Sequence, residues 1–303
     1  MADNDMLWLI RIKFWLLAAP YIPSIICSVF ILVYFYKQRR HFSAHQHLTL
    51  LLTIFGTLQL TTDIPFAIIY YHYGEVFSAS NSFCLWWNWW DYTLCSLLLF
   101  LMAWGSLDRH LLIFHNSVII RKRTRILFHL IPMFMCTMYP MTFYLSAIIF
   151  NSCENQWIYT EFLCLQSCYL YSQSTVAIVD FIINIVVPVV LIMLANITII
   201  IRIWFQKRNR RRDIRRERKL AIQLLSVAIL YILLWFPLTI NGVLCTLSQT
   251  ARFKDLQSKY LLYLPSLVPI LLPFFTLPIL SNFKQTVFKI RPNIIVAPIV
   301  IKR

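Results

Sequence analysis

The amino-acid sequence predicts an all-α integral membrane protein built as a bundle of seven transmembrane helices, and three observations carry that expectation. The first is composition: of 303 residues, 59% are hydrophobic and only 13% charged, whereas soluble globular chains carry about 25% charge. Mean hydropathy is +0.67. A cytosolic enzyme and a disordered chain are both excluded. The second is length. Seven apolar stretches reach the roughly 20 residues that a helix needs to cross a hydrocarbon core about 30 Å thick. Lipid offers backbone N–H and C=O groups no partner, so each stretch must satisfy them internally as a helix. The third is the lopsided charge, 28 Lys and Arg against 12 Asp and Glu for a net +16. In an apolar chain this reads as membrane topology rather than nucleic-acid binding.

In order, the predicted spans are Phe14 to Tyr36, Leu48 to Tyr71, Cys84 to Phe114, Ile126 to Phe150, Thr175 to Phe205, Leu220 to Leu247 and Tyr260 to Leu280. Span one is too long for the apolar core of a secretory leader, is followed by Lys37, Arg39 and Arg40, and lacks a small-residue cleavage site, so it is expected to be retained. Of the 28 cations, 23 fall on one face of the membrane, ten of them between Arg202 and Lys219. Only Arg11, Lys13, Arg252, Lys254 and Lys259 fall on the other. The N-terminus is therefore expected outside and the C-terminus in the cytoplasm. The connections are too short for a soluble domain, and there is no internal repeat of the kind that marks many transporters. The longest polar segment, Lys207 to Lys219, reads either as a solvated positive-inside anchor or as a docking surface for a cytosolic partner.

Certain spacings narrow the class. Span three opens on Cys84 and closes on Leu107-Asp108-Arg109-His110, with 25 positions from Cys84 to Arg109. Span five carries Pro188, span six Leu234-Trp235-Phe236-Pro237, and span seven Leu277-Pro278-Ile279-Leu280-Ser281. In this order and spacing the chain resembles the rhodopsin-like (class A) G-protein-coupled receptors, with their helix-three cysteine and Asp/Glu-Arg-Tyr motif, the proline of helix five, Cys-Trp-x-Pro in helix six and Asn-Pro-x-x-Tyr in helix seven. The resemblance implies a short amphipathic eighth helix on the inner leaflet over Asn282 to Lys289, where Phe288 stands ten positions after Pro278. The chain departs from the family pattern at Leu277 and Ser281, in the absence of a tryptophan from span four, and at Ile54-Phe55-Gly56-Thr57-Leu58, where the usual aspartate of span two is missing. Asp63 lies nearer the outer end.

What the resemblance implies about a switch falls on Asp108, Arg109, Glu217, Trp235, Pro237 and Pro278. Arg109 either pairs locally with Asp108 or reaches span six, where Glu217, twenty positions before Pro237, is the acid that would latch it at rest. An exposed pair of this kind is worth only ~0–1 kcal/mol, enough to bias a finely balanced equilibrium; the plainer reading is that Glu217 dilutes a basic helix end. Proline lacks a backbone donor and clashes with the preceding turn, so Pro237 is expected to kink span six. Trp235 would sense the ligand, and an outward swing of the cytoplasmic half would expose Arg109 to a heterotrimeric G protein.

On the outer side, Asp91 stands seven residues after Cys84, and a carboxylate at membrane depth costs ~2.5–3.5 kcal/mol unless it faces protein or a wet cavity. In the aminergic branch of the family an aspartate at this place binds the ligand's ammonium. Asp91 is thus a candidate for a cationic extracellular ligand, with Asp180, Asn184 and Trp235 around it and the faces of Trp86, Trp87, Trp89 and Trp90 nearby. A pairing of Asp91 with another residue explains the sequence equally well. The family's outer disulfide implies a partner for Cys84 among Cys153, Cys164 and Cys168; Cys168 is favoured and Cys164 is the alternative. The sequon Asn196-Ile197-Thr198 falls inside span five.

The expectation is therefore a multi-pass plasma-membrane receptor, with residues 1–290 as the receptor domain and 291–303 as a cytoplasmic tail. Its expected partners are an extracellular ligand, a G protein and membrane lipid, with no nucleic acid, cofactor, metal or enzymatic activity. A transporter or channel is the main alternative, because seven spans with buried acids also suit transport. A di-iron hydroxylase is weighed on His41, His45, His47, His110, His115 and His129, but lacks the denser histidine pattern of such enzymes.

Overall fold

The structure is a computed structural model, and it describes residues 2–38, 44–114, 126–172, 174–206, 214–248 and 250–277. Among them every regular element is helical. The principal helices are α1 (Ala2–Gln38), α2 (Ala44–Thr62), α3 (Ile64–Tyr73), α4 (Asn81–Phe114), α5 (Ile131–Tyr144), α6 (Ser174–Asp180), α7 (Val187–Gln206), α8 (Ile214–Ser248), α9 (Ala251–Leu256) and α10 (Leu267–Thr276). Single π-helical turns flank α5 at Ile126–Leu130 and Leu145–Ile149, join α6 to α7 at Phe181–Val186, and follow α9 at Gln257–Leu261. Six described stretches are long and apolar enough to cross a membrane, and α10 is a shorter apolar helix.

Span two is divided into α2 and α3 at Asp63 because Pro65 sits in the first turn of α3, where its missing N–H costs nothing. The Asp63 carbonyl accepts from Phe66 at 3.0 Å and Ala67 at 3.3 Å, so the chain continues in nearly the same direction. Gly74 ends α3 with φ 77°, its N–H donating to Tyr70 at 2.8 Å. A left-handed terminal residue suits glycine, which has no Cβ to clash.

Helix α4 is the central pillar, packed against α2, α5, α7 and α8, while α10 lies against α1, α2 and α8. Leu98 and Met102 of α4, Ile192 of α7, Tyr231 and Trp235 of α8 and Leu272 of α10 form one buried core. Large apolar side chains point the other way: Phe134, Trp204 and Leu233 are 60%, 73% and 66% exposed. A perimeter this apolar suits lipid rather than water. Lys13 of α1 is buried, donates to the Lys259 carbonyl and lies over the rings of Tyr71 and Tyr263 at 5.5 and 5.2 Å, tying α1 to α3 and to the turn after α9.

The outer loop corrects the favoured disulfide. Cys84 is bonded to Cys164, and Cys153 to Cys168, with Cα atoms 5.8 and 6.0 Å apart. Cys168 cannot serve Cys84 because its N–H is held by Asn155 Oδ1 at 2.8 Å and its side chain faces Cys153. Cys164 is delivered by a tight turn, Phe162–Cys164, in which Leu163, Cys164 and Leu165 have φ of 54°, 55° and 73°. Asn88 Nδ2 pins that turn to α4 by donating to the Leu163 carbonyl at 2.7 Å. Pro278, the expected eighth helix at Asn282 to Lys289 and the tail 291–303 lie outside the described residues, as does the side chain of Glu217 on α8.

Candidate functional site

Asp91 projects from α4 and is only 7% exposed. It lines a cavity of about 80 Å³ with Asn184, Trp235, Tyr92 and Tyr144, roofed by Phe162 and Leu163. The cavity therefore brings together three of the four predicted ligand residues. Trp235 reaches it from α8, and Asn184 from the π-helical turn between α6 and α7. Asp180 and Asn184, four apart, lie on one face of this helical segment and are in direct contact.

Asp180, the fourth, lines a larger neighbouring cavity of about 490 Å³ and is already saturated. Its Oδ1 accepts from Tyr144 at 2.9 Å and Asn184 Nδ2 at 2.6 Å, and its Oδ2 accepts from Tyr169 at 2.9 Å. Tyr169 lies in the outer loop, and burial together with the Asp180 carboxylate pushes its phenol up, keeping it a donor. Asp180 is thus a structural acceptor, while the Oδ1 of Asn184, wholly buried, has no hydrogen-bond partner.

The residue that sequence reasoning set aside is Asp63. It is 2% exposed, accepts from the indole Nε1 of Trp87 at 2.8 Å, and has Asp91 and Gln59 as neighbours. Cys95 also faces Asp91, with Sγ 3.6 Å from Oδ1. The tryptophans serve a different purpose from the one expected. Trp87 is committed to Asp63, Trp90 donates to Thr62 Oγ1 at 2.7 Å, Trp86 stacks on Trp90, and none of the four lines the cavity that holds Asp91. The signal for Asp63 was its mere presence, since any acid inside a span is costly.

At the other end of α4, Asp108 and Arg109 are 3% and 4% exposed. Asp108 Oδ1 lies 3.0 Å from Nδ1 of His129, which reaches it from the turn before α5. A carboxylate only accepts, so the imidazole N–H donates. Arg109 makes no ion pair among the described residues; its Nη2 lies 4.0 Å from Met102 Sδ. Of the histidines weighed as iron ligands, His47 and His129 have ring centroids 5.8 Å apart. No three metal-ligating side chains gather among the described residues. Asn196 of the sequon is 2% exposed and donates to Ser106 Oγ at 3.0 Å.

A helical bundle around a buried acid, with an Asp-Arg pair at the far end of its central helix, defines the class of a membrane receptor. Residues 26–275 match the family model of the 7 transmembrane receptor (rhodopsin family). That is most of the chain, and the chain belongs to this family. It is a class A G-protein-coupled receptor and a multi-pass membrane protein. No curated protein matches it. Members of the family act in G-protein signalling, with an extracellular ligand on one side and a G protein on the other, and are generally not enzymes.

Proposed function

We propose that this receptor lies in the plasma membrane with seven spans, its N-terminus outside and an eighth helix on the inner leaflet, residues 1–290 forming the receptor domain and 291–303 the tail. It binds a cationic extracellular ligand at Asp91, with Asn184 and Trp235 completing the contact, and activates a heterotrimeric G protein by outward movement of the cytoplasmic half of α8 about Pro237. At rest Arg109 is held by Glu217. The observation that carries this reading is the inner cavity, where the buried carboxyl of Asp91 shares the lining with Asn184, whose carbonyl oxygen has no hydrogen-bond partner. An anion and an unsatisfied acceptor facing one space are complementary to an N–H-bearing cation, and an apolar or anionic ligand would leave both unpaired.

The test is guanine-nucleotide exchange on a panel of G proteins by the purified receptor in lipid nanodiscs, screened against biogenic and synthetic amines. An amine-dependent rise in exchange, lost in Asp91→Asn at normal surface expression, is the expected result. Retained amine potency in Asp91→Asn would exclude the charge pair. Amine flux through the receptor without nucleotide exchange would replace the receptor reading by transport.

A further inference from the structure

The two cavities share the walls of Tyr92, Tyr144, Ile185, Leu238 and Leu262, so the smaller lies next to the larger. Across both linings the charged residues are Asp91, Asp180 and Lys254. Asp180 is consumed by its three donors. That leaves Asp91, deep beneath Phe162 and Leu163, and Lys254 on α9, which is exposed and makes no ion pair among the described residues. The lining of the larger cavity also carries the polar Gln166, Thr246 and Gln257, and the wall common to both cavities is Ile185, Leu238 and Leu262 with the rings of Tyr92 and Tyr144. The site thus has an acceptor end, an apolar waist and a donor end.

We infer that the ligand of this receptor is a zwitterion, a cationic amine at one end joined by an apolar linker to an anionic group that meets Lys254. This rests on the Asp91 reading above and extends it from one charge to two. A purely cationic ligand leaves Lys254 unanswered and places its own tail among the donors of Gln166, Thr246 and Gln257. Ligands with an anionic group at both ends are rejected by the buried carboxyl of Asp91. Because Lys254 stays in contact with water, its share is modest: an anion there strengthens binding by about fivefold, the upper range for an exposed pair. Its main effect is discrimination between otherwise identical amines.

The experiment uses two matched series on the full-length receptor in nanodiscs, n-alkylamines and ω-amino acids with the same number of methylenes, from about four to about twelve to scan the unknown span. The readout is the concentration giving half-maximal thermal stabilisation. The expected result is that at one chain length the ω-amino acid binds about fivefold tighter than its amine. Lys254→Gln should abolish the difference and Lys254→Glu should reverse it, while Asp91→Asn abolishes both series. Equal binding of the two series at every length, or an ω-amino acid advantage that survives in Lys254→Glu, overturns the zwitterion and leaves the amine site standing. Failure of both series to stabilise the protein, or amine binding unchanged in Asp91→Asn, overturns the Asp91 reading itself and the zwitterion with it.

Discussion

His129 is the residue whose removal tests the arrangement around Asp108 and Arg109 most directly. Its Nδ1 lies 3.0 Å from Asp108, and both side chains are buried. Taking one partner from a buried pair costs about 3–5 kcal/mol, because the remaining charge stays out of water. Asp108, at 3% exposure, cannot recover that cost from solvent. The adjacent cation is Arg109, which among the described residues is held only by a weak contact with Met102 Sδ at 4.0 Å. In His129→Ala, Asp108 therefore turns to Arg109 and withdraws the guanidinium from its proposed contact with the G protein. A bias of about 2 kcal/mol against the free guanidinium lowers its availability about thirtyfold, so nucleotide exchange at saturating agonist should fall at least tenfold. The assay is exchange by purified receptor in nanodiscs, with melting temperature measured in parallel. His129→Asn keeps an N–H donor and should lose less. Adding Asp108→Asn to His129→Ala removes the competing carboxylate and should restore exchange. Wild-type exchange in His129→Ala, or a double variant no better than the single one, would refute the reasoning.

Three further outcomes follow from named contacts. Trp87→Phe removes the indole donor to Asp63; a hydrogen bond to a charged group is worth about 1.5–3 kcal/mol, and a double-mutant cycle with Asp63→Asn should return coupling of that order, whereas coupling near zero would discount the contact. Gly105→Ala brings a Cβ to 2.1 Å from Leu48 Cδ2, so thermal denaturation should register about 1–3 kcal/mol of overpacking unless Leu48 finds another rotamer; an unchanged melting temperature would mean that it does. Glu217→Ala should raise ligand-free signalling, and unchanged basal activity at normal surface expression would sink the latch.

Much of the helical architecture was legible because membrane spans are written in a single variable, a run of apolar length. What escaped were choices between equivalent residues. Cys153, Cys164 and Cys168 are alike to a counting argument, and only the turn at Phe162–Cys164 and the Asn88 contact decide that Cys164 reaches Cys84. The four tryptophans after Cys84 advertised an aromatic site, yet two of them donate to neighbours on α2 and at its C-terminal end, a distinction set by helix rotation that composition does not carry. Asp63 and Asp91 stand 28 positions apart, and nothing in their spacing announces that Asp63 is held by Trp87 while Asp91 lines the inner cavity. Arg109 was expected to pair with Asp108 or to reach span six, and the pairing of Asp108 with His129 depends on how the turn before α5 docks.

Leu163, Cys164 and Leu165 hold three consecutive left-handed backbone angles in side chains that ordinarily avoid them, at an order of 1–3 kcal/mol each. Such a segment keeps its shape only while its surroundings insist on it, and here the surroundings are the bond to Cys84 and the grip of Asn88. The roof over Asp91 is therefore a loaded spring rather than a passive cover. Reduction of the Cys84–Cys164 bond would remove one of these two restraints and leave the turn held by Asn88 alone.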